Sequence, residues 1–384
     1  MIPGKGIMAR LPAISRLLVE RGADSGDQVT RILAALPDLS PETVSAEEEV
    51  SNLRGADMQK TTLRLLPFRG RLLKRCPGTK GYICCGYRIL HVGTNCSLDC
   101  SYCVLQGYLN QPALRVFVNL ADRLPQIGRM IDRHPERVFR IGTGEFTDSL
   151  ALDPITHWTD LLLPFFAQRE NAVLELKTKT TRVERLLRAK TRKRIVVSWS
   201  LNGPAIASRE ELGAPSIEAR LQAARACQEE GYAVGIHFDP LVEHPNWQVE
   251  YARTLDLMDR YLDPKRIIWV SLGCLRFMPA LGPIIRKRHP QTGVLSGEFV
   301  PGGDGKLRYF KPIRVDMYGY MGHLLRTWHQ EIGLYLCMES REVWLQSLGW
   351  SPEHSNALSD FLDDRVLRFF GKQGRNAHSD EIRR

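Results

Sequence analysis

The sequence predicts an α/β fold: a partial (β/α)6 barrel that follows a small N-terminal α/β unit and precedes a C-terminal extension of a hairpin and helices. Six apolar, β-rich runs recur from residue 88 onward, and segments with helical periodicity separate them. Nearly continuous apolar strands that alternate with helices are typical of a parallel sheet covered on both faces. Polar residues cluster directly after most of these runs, which is where barrels place their chemistry. Barrels commonly occupy about 250 residues, so this chain of 384 residues has room for further units.

Residues 1–58 are predicted to form the small N-terminal unit. The run 13–20 is expected to be a strand, and 27–36 places its apolar residues on one helical face. Prolines and the acidic run 47–49 indicate a boundary after it. No catalytic pattern appears in this unit, and a basic, Cys-rich connector, 59–87, is expected to follow.

The barrel is predicted over residues 88–290. Its expected strands are 88–95, 137–144, 173–180, 194–201, 233–240 and 267–274. Its expected helices are 121–134, 155–169, 182–189, 217–230 and 248–262. Residues 291–370 are predicted to form the C-terminal extension, whose regular elements after the hairpin are a helix over 315–332, a strand over 334–338 and a helix over 341–348. The polar tail 371–384 is predicted to be disordered.

Three cysteines follow the first barrel run in a Cys-x3-Cys-x2-Cys array: Cys96, Cys100 and Cys103. Three thiolates at this spacing can hold three irons of a four-iron cubane, which leaves the fourth iron open for an outside ligand. The array resembles that of the radical S-adenosylmethionine (SAM) superfamily, and Tyr102 gives it the aromatic-Cys form that the motif usually takes. The resemblance implies a radical SAM barrel with a 4Fe-4S cluster and SAM as cofactors, and cleavage of SAM to a 5′-deoxyadenosyl radical.

A zinc site or a buried structural trio is the alternative interpretation of these cysteines. Tetrahedral zinc takes four ligands, usually supplied as two short pairs. No Cys or His pair at zinc spacing follows in residues 104–226. The cluster interpretation is therefore favoured.

Composition and charge restrict the function classes. Hydrophobic residues make up 43% and charged residues 25% of the chain, and no apolar stretch approaches the roughly 20 residues of a membrane span. No signal-like apolar segment opens the sequence, so we expect a cytoplasmic protein without a membrane partner. Nine cysteines are then better explained by metal and redox chemistry than by disulfides.

The formal net charge of +10 favours association with a polyanion such as nucleic acid. Basic residues crowd into one segment without acidic neighbours: Lys60, Arg64, Arg69, Arg71, Lys74, Arg75 and Lys80. A solvated face is the more common explanation of such a run. Nucleic-acid binding and a solvated face both stay open at this point.

Three further cysteines, Cys76, Cys84 and Cys85, lie just before the first barrel strand. Neighbouring side chains of an extended strand point to opposite faces, so Cys84 and Cys85 cannot both face the same way. A packing role and a role in redox or metal chemistry are both open for these thiols.

Six stretches of the chain share the order and spacing of one family. They are 100–109, 114–119, 147–153, 178–179, 200–202 and 220–232. They resemble spore photoproduct lyase and its relatives, and the likeness covers about residues 85–340. The resemblance implies a lyase-type enzyme that repairs a thymine dimer in DNA by radical reversal. It also implies contact with DNA or another nucleic acid and an electron donor such as flavodoxin or ferredoxin.

The resemblance assigns site residues as well. Cys96, Cys100 and Cys103 become the cluster ligands. The cofactor-binding residues implied for SAM are Tyr102, Gly144, Glu145, Thr147, Lys179 and Ser200. SAM presents an ammonium, a carboxylate and a ribose, so its site needs acceptors, a cation and hydroxyls together.

Two positions depart from the family. By alignment, Glu145 stands where the lyase has the cysteine that returns a hydrogen atom to the product, and Val104 stands where it has a tyrosine. Because a thiol is the suitable protein donor, Cys84 or Cys85 is predicted to take over hydrogen return or to help hold an auxiliary metal centre.

The lesion-binding hairpin of the family is expected near residues 302–320. Basic and aromatic residues interleave there, which suits phosphate contact and base stacking. They are Lys306, Arg308, Tyr309, Phe310, Lys311, Arg314, Tyr318 and Tyr320. An ordinary hairpin is the alternative.

The sequence thus predicts a radical SAM enzyme of the photoproduct-lyase type. One alternative keeps the enzyme class with a different, non-DNA substrate, because both positions of the family's hydrogen-donor pair differ. Another is a nucleic-acid-binding protein with a structural or redox-sensing cluster.

Overall fold

The structure, a computed structural model, describes residues 13–23, 26–46, 60–79, 81–109 and 111–371. The predicted disordered tail, apart from its first residue, lies outside the described residues, as do the acidic run 47–49 and Lys80. No helix in the described part of the chain combines the length and the apolar character that crossing a bilayer requires.

The described residues form eighteen strands. In chain order they are β1 Arg16–Glu20, β2 Pro41–Val44, β3 Thr62–Leu66, β4 Leu73–Arg75, β5 Arg88–Leu90, β6 Gly93–Thr94, β7 Asp99–Cys100, β8 Leu114–Phe117, β9 Phe139–Gly142, β10 Ala172–Thr178, β11 Ile195–Ser200, β12 Glu211–Leu212, β13 Ala233–Leu241, β14 Ile267–Cys274, β15 Arg276–Phe277, β16 Phe299–Pro301, β17 Leu307–Tyr309 and β18 Leu334–Leu336.

The described residues also form thirteen α-helices and a short 3₁₀ turn at Pro264–Arg266. The helices are α1 Asp27–Ala35, α2 Leu105–Tyr108, α3 Leu120–Asp132, α4 Asp153–Thr156, α5 Trp158–Ala167, α6 Glu184–Arg188, α7 Pro204–Glu210, α8 Ile217–Glu229, α9 Trp247–Tyr261, α10 Leu281–Arg288, α11 Lys311–Trp328, α12 Arg341–Leu348 and α13 Ser355–Phe370.

The main sheet is the predicted partial barrel. Its strand order is β18-β14-β13-β11-β10-β9-β5-β4, so the seven strands from β5 to β18 follow the chain and pair in parallel. β4 closes one edge in the antiparallel sense. Every residue of β11 and β14 is buried, as expected for parallel strands covered on both faces. The six predicted strands are confirmed, and β18 extends the curled sheet by one more.

Two predicted elements are interrupted. The first barrel strand ends at Leu90, because the chain then turns to pair β6 with β8, where the carbonyl of Arg115 comes within 2.4 Å of the site of a Cβ on Gly93. Only glycine fits that approach. The helix predicted over 155–169 is two helices, α4 and α5, since His157 between them has a left-handed backbone with φ of 54°.

A second sheet joins the N-terminal unit to the rest of the chain. Its order is β2-β1-β3-β8-β6, with β1, β2, β3 and β8 parallel. The predicted strand and helix of residues 1–58 are confirmed as β1 and α1. This sheet takes strands from three of the predicted segments, 1–58, 59–87 and 88–290, and the boundaries between those segments stay a prediction.

The C-terminal hairpin is formed by β16 and β17, with β15 on its other side. The hairpin lies earlier in the chain than the predicted 302–320. Helix α11 already begins at Lys311, because Pro312 is tolerated in the first turn of a helix. Four residues predicted there as nucleic-acid contacts are buried: Arg308, Tyr309, Arg314 and Tyr318. Arg308 pairs with Asp304 at 2.7 Å and Arg314 with Glu339 at 3.0 Å. The assignment of these four to a surface is therefore wrong, since each fills the interior of the extension.

Candidate active site

The loop that carries Cys96, Cys100 and Cys103 is shaped by two buried amides. Asn95, in a left-handed conformation with φ of 73°, donates from Nδ2 to the carbonyl of Pro112 at 2.9 Å and accepts from the backbone N–H of Cys96 at 3.1 Å. Gln106 donates to the carbonyls of Cys100 and Ser101 at 3.1 and 2.9 Å. Backbone groups that would otherwise be unsatisfied are thus fixed by side chains on both sides of the cysteines.

The three thiols are partly or fully buried and act on one another electrostatically. Burial raises the pKa of Cys96 to about 12, with a further contribution from Asp148, and burial also raises the pKa values of Cys100 and Cys103. Bound iron would reverse this preference, because a coordinating thiol is deprotonated by the cation. The donor set therefore fits a thiolate-ligated metal centre.

Within the described ranges, no group of three or more His, Cys, Asp or Glu side chains is placed so that it could hold a metal ion. A zinc site needs its ligands around one point, whereas a cubane spreads its ligand sulfurs over separate irons.

Glu211 is a buried carboxylate that sequence reasoning missed. Its oxygens accept from the hydroxyl of Tyr102 and from Lys179 Nζ at 3.0 Å, and they pair with Arg220 at 2.5 Å. Burial alone would raise the pKa of Glu211, but Lys179 and Arg220 outweigh it and bring the pKa to about 2. The carboxylate is therefore ionised and joins the cysteine loop to two cations of the barrel.

The preceding residue, Glu210, holds the other side of the same loop. It accepts from the hydroxyls of Ser101 and Thr292, the latter at 2.6 Å, and from the N–H of Gly293 at 3.1 Å. Strand pairing supports both contacts, because β12 lies antiparallel to β7 with Glu211 opposite Cys100. Glu210, the last residue of α7, and Glu211, the first residue of β12, thus hold the cysteine loop from two sides.

The residues predicted to contact SAM lie on neighbouring strand ends. Asp148 brings two of them together: its Oδ2 accepts from the N–H of Lys179 at 2.7 Å, and Thr147 directly precedes it. Lys179 Nζ lies 5.7 Å from the centre of the Tyr102 ring. Ser200 ends β11, and its carbonyl accepts from Arg220 at 3.0 Å.

Gly144 and Glu145 lie beside Lys177 on the same rim. A Cβ on Gly144 would stand 2.7 Å from the Cβ of Lys177, so only glycine allows this approach. Glu145 pairs with Lys177 at 2.6 Å. Burial alone would lower the pKa of Lys177, but Glu145 outweighs it and raises the pKa. The predicted acceptor for the SAM ammonium thus already has a cation beside it.

A second unpredicted carboxylate, Glu175, lies inside the barrel. One of its oxygens accepts from His237 Nε2 at 2.8 Å, Trp269 Nε1 at 2.9 Å and the hydroxyl of Ser198. Burial alone would raise the pKa of Glu175, but His237 and the hydrogen bonds outweigh it and bring the pKa to about 2. A single acid within an apolar strand was the signal that sequence reasoning overlooked.

Comparison with known proteins decides the family. A family model described as spore photoproduct lyase matches residues 84–298, which is more than half of the chain. The chain belongs to the spore photoproduct lyase family. That family is part of the radical SAM superfamily.

Two curated spore photoproduct lyases illustrate the relationship. The protein from Geobacillus sp. (strain Y412MC61) is 29% identical over 204 residues, and that from Bacillus subtilis (strain 168) is 26% identical over 202 residues. Each alignment covers 52% of this chain, and 60% and 59% of the two relatives. The chain therefore spans about three fifths of the length of the curated relatives it matches.

Solved structures show the same fold over more of the chain. A variant of spore photoproduct lyase with dinucleoside spore photoproduct has a TM-score of 0.75 at 22% identity, and the match covers 84% of this chain and 99% of that one. A double variant with bound AdoMet and dinucleoside spore photoproduct has a TM-score of 0.74 at 22% identity, covering 85% and 100%.

The structure places the two adjacent thiols that precede the barrel, Cys84 and Cys85, in different surroundings. Cys84 lies beside Gly78, and its N–H donates to Ser355 Oγ at 3.0 Å. Burial raises the pKa of Cys85, with Arg140 and Glu145 among the charges that act on it. Burial raises the pKa values of Tyr87, Tyr335 and Cys337, and Cys85 contributes to each of these increases. The two adjacent thiols therefore occupy different environments.

Proposed function

We propose that this protein is a radical SAM enzyme of the photoproduct-lyase type that repairs a photoproduct in DNA. The observation that carries the proposal is the loop of Cys96, Cys100 and Cys103, held on the barrel rim by Glu210 and Glu211. Family membership and the fold shared with lyases solved with AdoMet and a dinucleoside photoproduct support it. When bound, a 4Fe-4S cluster would supply the electron that cleaves SAM to a 5′-deoxyadenosyl radical.

The residues of this chain would divide the binding of SAM among them. Lys179 supplies a cation for the SAM carboxylate, and Glu211 keeps that cation on the side of Tyr102. Glu145 supplies the acceptor for the ammonium, while Thr147 and Ser200 supply hydroxyls at two strand ends. Asp148 fixes the distance between the two loops, because it accepts from the backbone of Lys179.

We also propose that Cys85 returns the hydrogen atom at the end of the reaction. The product radical would take the atom from the S–H group, which forms a C–H bond and leaves a thiyl radical on Cys85. Burial raises the pKa of Cys85 and so keeps it as the thiol, the form that can donate a hydrogen atom. Its neighbourhood to Glu145 supports the assignment, since Glu145 occupies the position of the family's donor by alignment.

We place this activity in the cytoplasm, with an electron donor such as flavodoxin or ferredoxin. All nine cysteines are free thiols, which suits a reducing compartment. One electron is needed for each cleavage of SAM, and no group among the described side chains supplies it.

The proposal is tested by anaerobic reconstitution with iron and sulfide, followed by measurement of 5′-deoxyadenosine and of repaired product with a lesion-bearing oligonucleotide. Wild-type protein should bind about four irons, and alanine at any one of the three loop cysteines should abolish SAM cleavage. A triple variant that kept its iron and its SAM cleavage would overturn the proposal. Cleavage of SAM without repair of any DNA lesion would instead favour a different substrate.

Hydrogen return is tested with a matched pair, Cys85→Ala and Cys84→Ala. Cys85→Ala should still form 5′-deoxyadenosine but yield little repaired product, because the product radical lacks its donor. Cys84→Ala should behave as the wild type. Equal product yield from both variants would remove Cys85 from the reaction.

A further inference from the structure

Exposed apolar side chains concentrate around the cysteine loop. Eight large apolar residues are exposed in the described chain, and four of them lie close to this loop in the fold: Val104, Tyr108, Leu212 and Met278. Val104 directly follows Cys103 and is 41% exposed, and Tyr108 ends α2 at 60% exposed. Contiguous exposed apolar surface on a protein of this size marks an interaction site more often than chance placement does.

The elements that carry these residues contact one another. A Cβ on Gly107 in α2 would stand 3.2 Å from Leu281, the first residue of α10. Leu212 lies on β12, which pairs with β7 of the cysteine loop, and Met278 accepts from the N–H of Leu281 at 2.8 Å. The four apolar residues therefore lie on elements that surround the cysteine loop and contact its neighbours.

The rim of this region is basic. α10 ends in Arg286, Lys287 and Arg288, and the first two are exposed. Arg288 binds Asp99 of the cysteine loop at 3.0 Å, and Lys60 binds the same carboxylate at 2.8 Å. Asp99 is thus neutralised by two cations, while Arg286 and Lys287 have no carboxylate partner among the described residues. The excess charge around the loop is positive.

We propose that this surface, the loop-side patch of Val104, Tyr108, Leu212, Met278, Arg286 and Lys287, docks the acidic protein that delivers single electrons to the cluster. The inference rests on the proposed function. An apolar centre with a charged rim is the usual anatomy of a protein–protein interface. Electron transfer weakens steeply with distance, and Val104 places the exposed surface one residue from a cluster ligand. In the step itself the carrier is oxidised by one electron and the cluster is reduced by one.

The positive charge of Arg286 and Lys287 favours a partner with an acidic surface. Complementary charge raises association rates by about 10- to 1,000-fold, and salt suppresses the effect. The double variant Arg286→Glu/Lys287→Glu reverses the sign of the rim without touching a residue of the site. Lys265→Glu/Arg266→Glu is the matched control, since these adjacent exposed basic residues precede β14 and lie at the opposite end of the parallel strands.

The experiment follows reduction of the reconstituted cluster by its visible absorbance in stopped flow, with reduced flavodoxin and, separately, with dithionite. The patch variant should be reduced at least about tenfold more slowly than wild type by flavodoxin at low salt, with the difference shrinking as salt rises. Reduction by dithionite should change by less than about twofold, because a small reductant needs no docking surface. The control variant should match the wild type with both reductants.

Equal slowing of the control variant, or unchanged flavodoxin kinetics in the patch variant, would overturn the proposal. Weaker oligonucleotide binding by the patch variant with unchanged flavodoxin kinetics would assign the surface to nucleic acid instead. Failure of the cluster that the proposed function requires is distinguishable, because wild-type protein would then show no reducible cluster with either reductant. Tyr108→Ser gives a second variant, which should weaken flavodoxin binding without altering the salt dependence.

Discussion

Replacing Glu211 by glutamine should destabilise the protein by about 3 kcal/mol at pH 7. Glutamine keeps the size and one acceptor, but it removes the anion between Lys179 and Arg220, both of which are largely buried. Removing one partner of a buried pair costs about 3–5 kcal/mol. The pKa of Glu211 gives the same magnitude: a fall from about 4.3 to about 2 at roughly 1.4 kcal/mol per unit contributes about 3 kcal/mol.

Equilibrium unfolding in urea measures this loss on the reduced protein without metal, as a lower midpoint at an unchanged slope. The folded-state pKa of Glu211 is depressed, so its contribution is complete above the unfolded value and is lost as pH falls through about 4 toward about 2. The difference in unfolding free energy between the wild type and Glu211→Gln should therefore narrow between pH about 4 and about 2. Glu229→Gln is the control: its pair with Arg225 is exposed on both sides and should contribute less than about 0.5 kcal/mol. A loss below about 1 kcal/mol for Glu211→Gln would refute the reasoning.

Three further outcomes are expected. Burial lowers the pKa of His91 to about 4, so the unfolding free energy of the wild type should fall by up to about 3 kcal/mol between pH 6.5 and 4. His91→Phe keeps an aromatic ring between Phe68 and Phe146, and urea titrations of this variant should lack that pH dependence. Asp148→Asn should weaken SAM binding by reconstituted protein about tenfold in equilibrium dialysis, because the N–H of Lys179 loses an acceptor; an unchanged Kd would contradict this. Arg314→Met should cost about 3 kcal/mol in urea by stranding Glu339, yet leave oligonucleotide binding at low salt unchanged.

The barrel could be predicted from the sequence because its strands are local features. Each strand is an apolar run that is buried on both faces, and α8 begins and ends within one residue of the predicted 217–230. The cysteine loop could also be predicted, since its three cysteines lie within eight residues. Both signals depend only on spacing along the chain, and spacing is what a sequence shows directly.

The glutamates that bind the cysteine loop could not be predicted, because they are distant from it in sequence. Ser101 and Tyr102 are each separated by 109 residues from the glutamates that hold them. Two adjacent acids at the end of a short helix look like ordinary surface charge. Pairing across such a distance is decided by the tertiary fold, which brings β12 to β7.

The burial of charged side chains was the other feature that the sequence could not predict. Arg308 and Arg314 were predicted as phosphate contacts from their charge and their aromatic neighbours, yet each neutralises a buried carboxylate. A sequence reports that a residue is basic but not which anion it meets. Exposed basic residues do remain in the connector, at Arg69, Arg71, Lys74 and Arg75, so the salt dependence of nucleic-acid binding is better examined there.

The parallel pairing of β1 with β3 has a consequence for solubility. Leu63 and Leu65 of β3 are completely buried, and β1 covers the edge of that strand from Arg16 to Val19. Without β1, β3 would present unpaired backbone groups flanked by leucines, which is the kind of edge that recruits strands from other molecules. A chain shortened at its beginning would therefore be expected to aggregate even though its cysteine loop and barrel rim were intact. Charged substitutions or a proline along β3 would be needed to keep such a shortened chain monomeric.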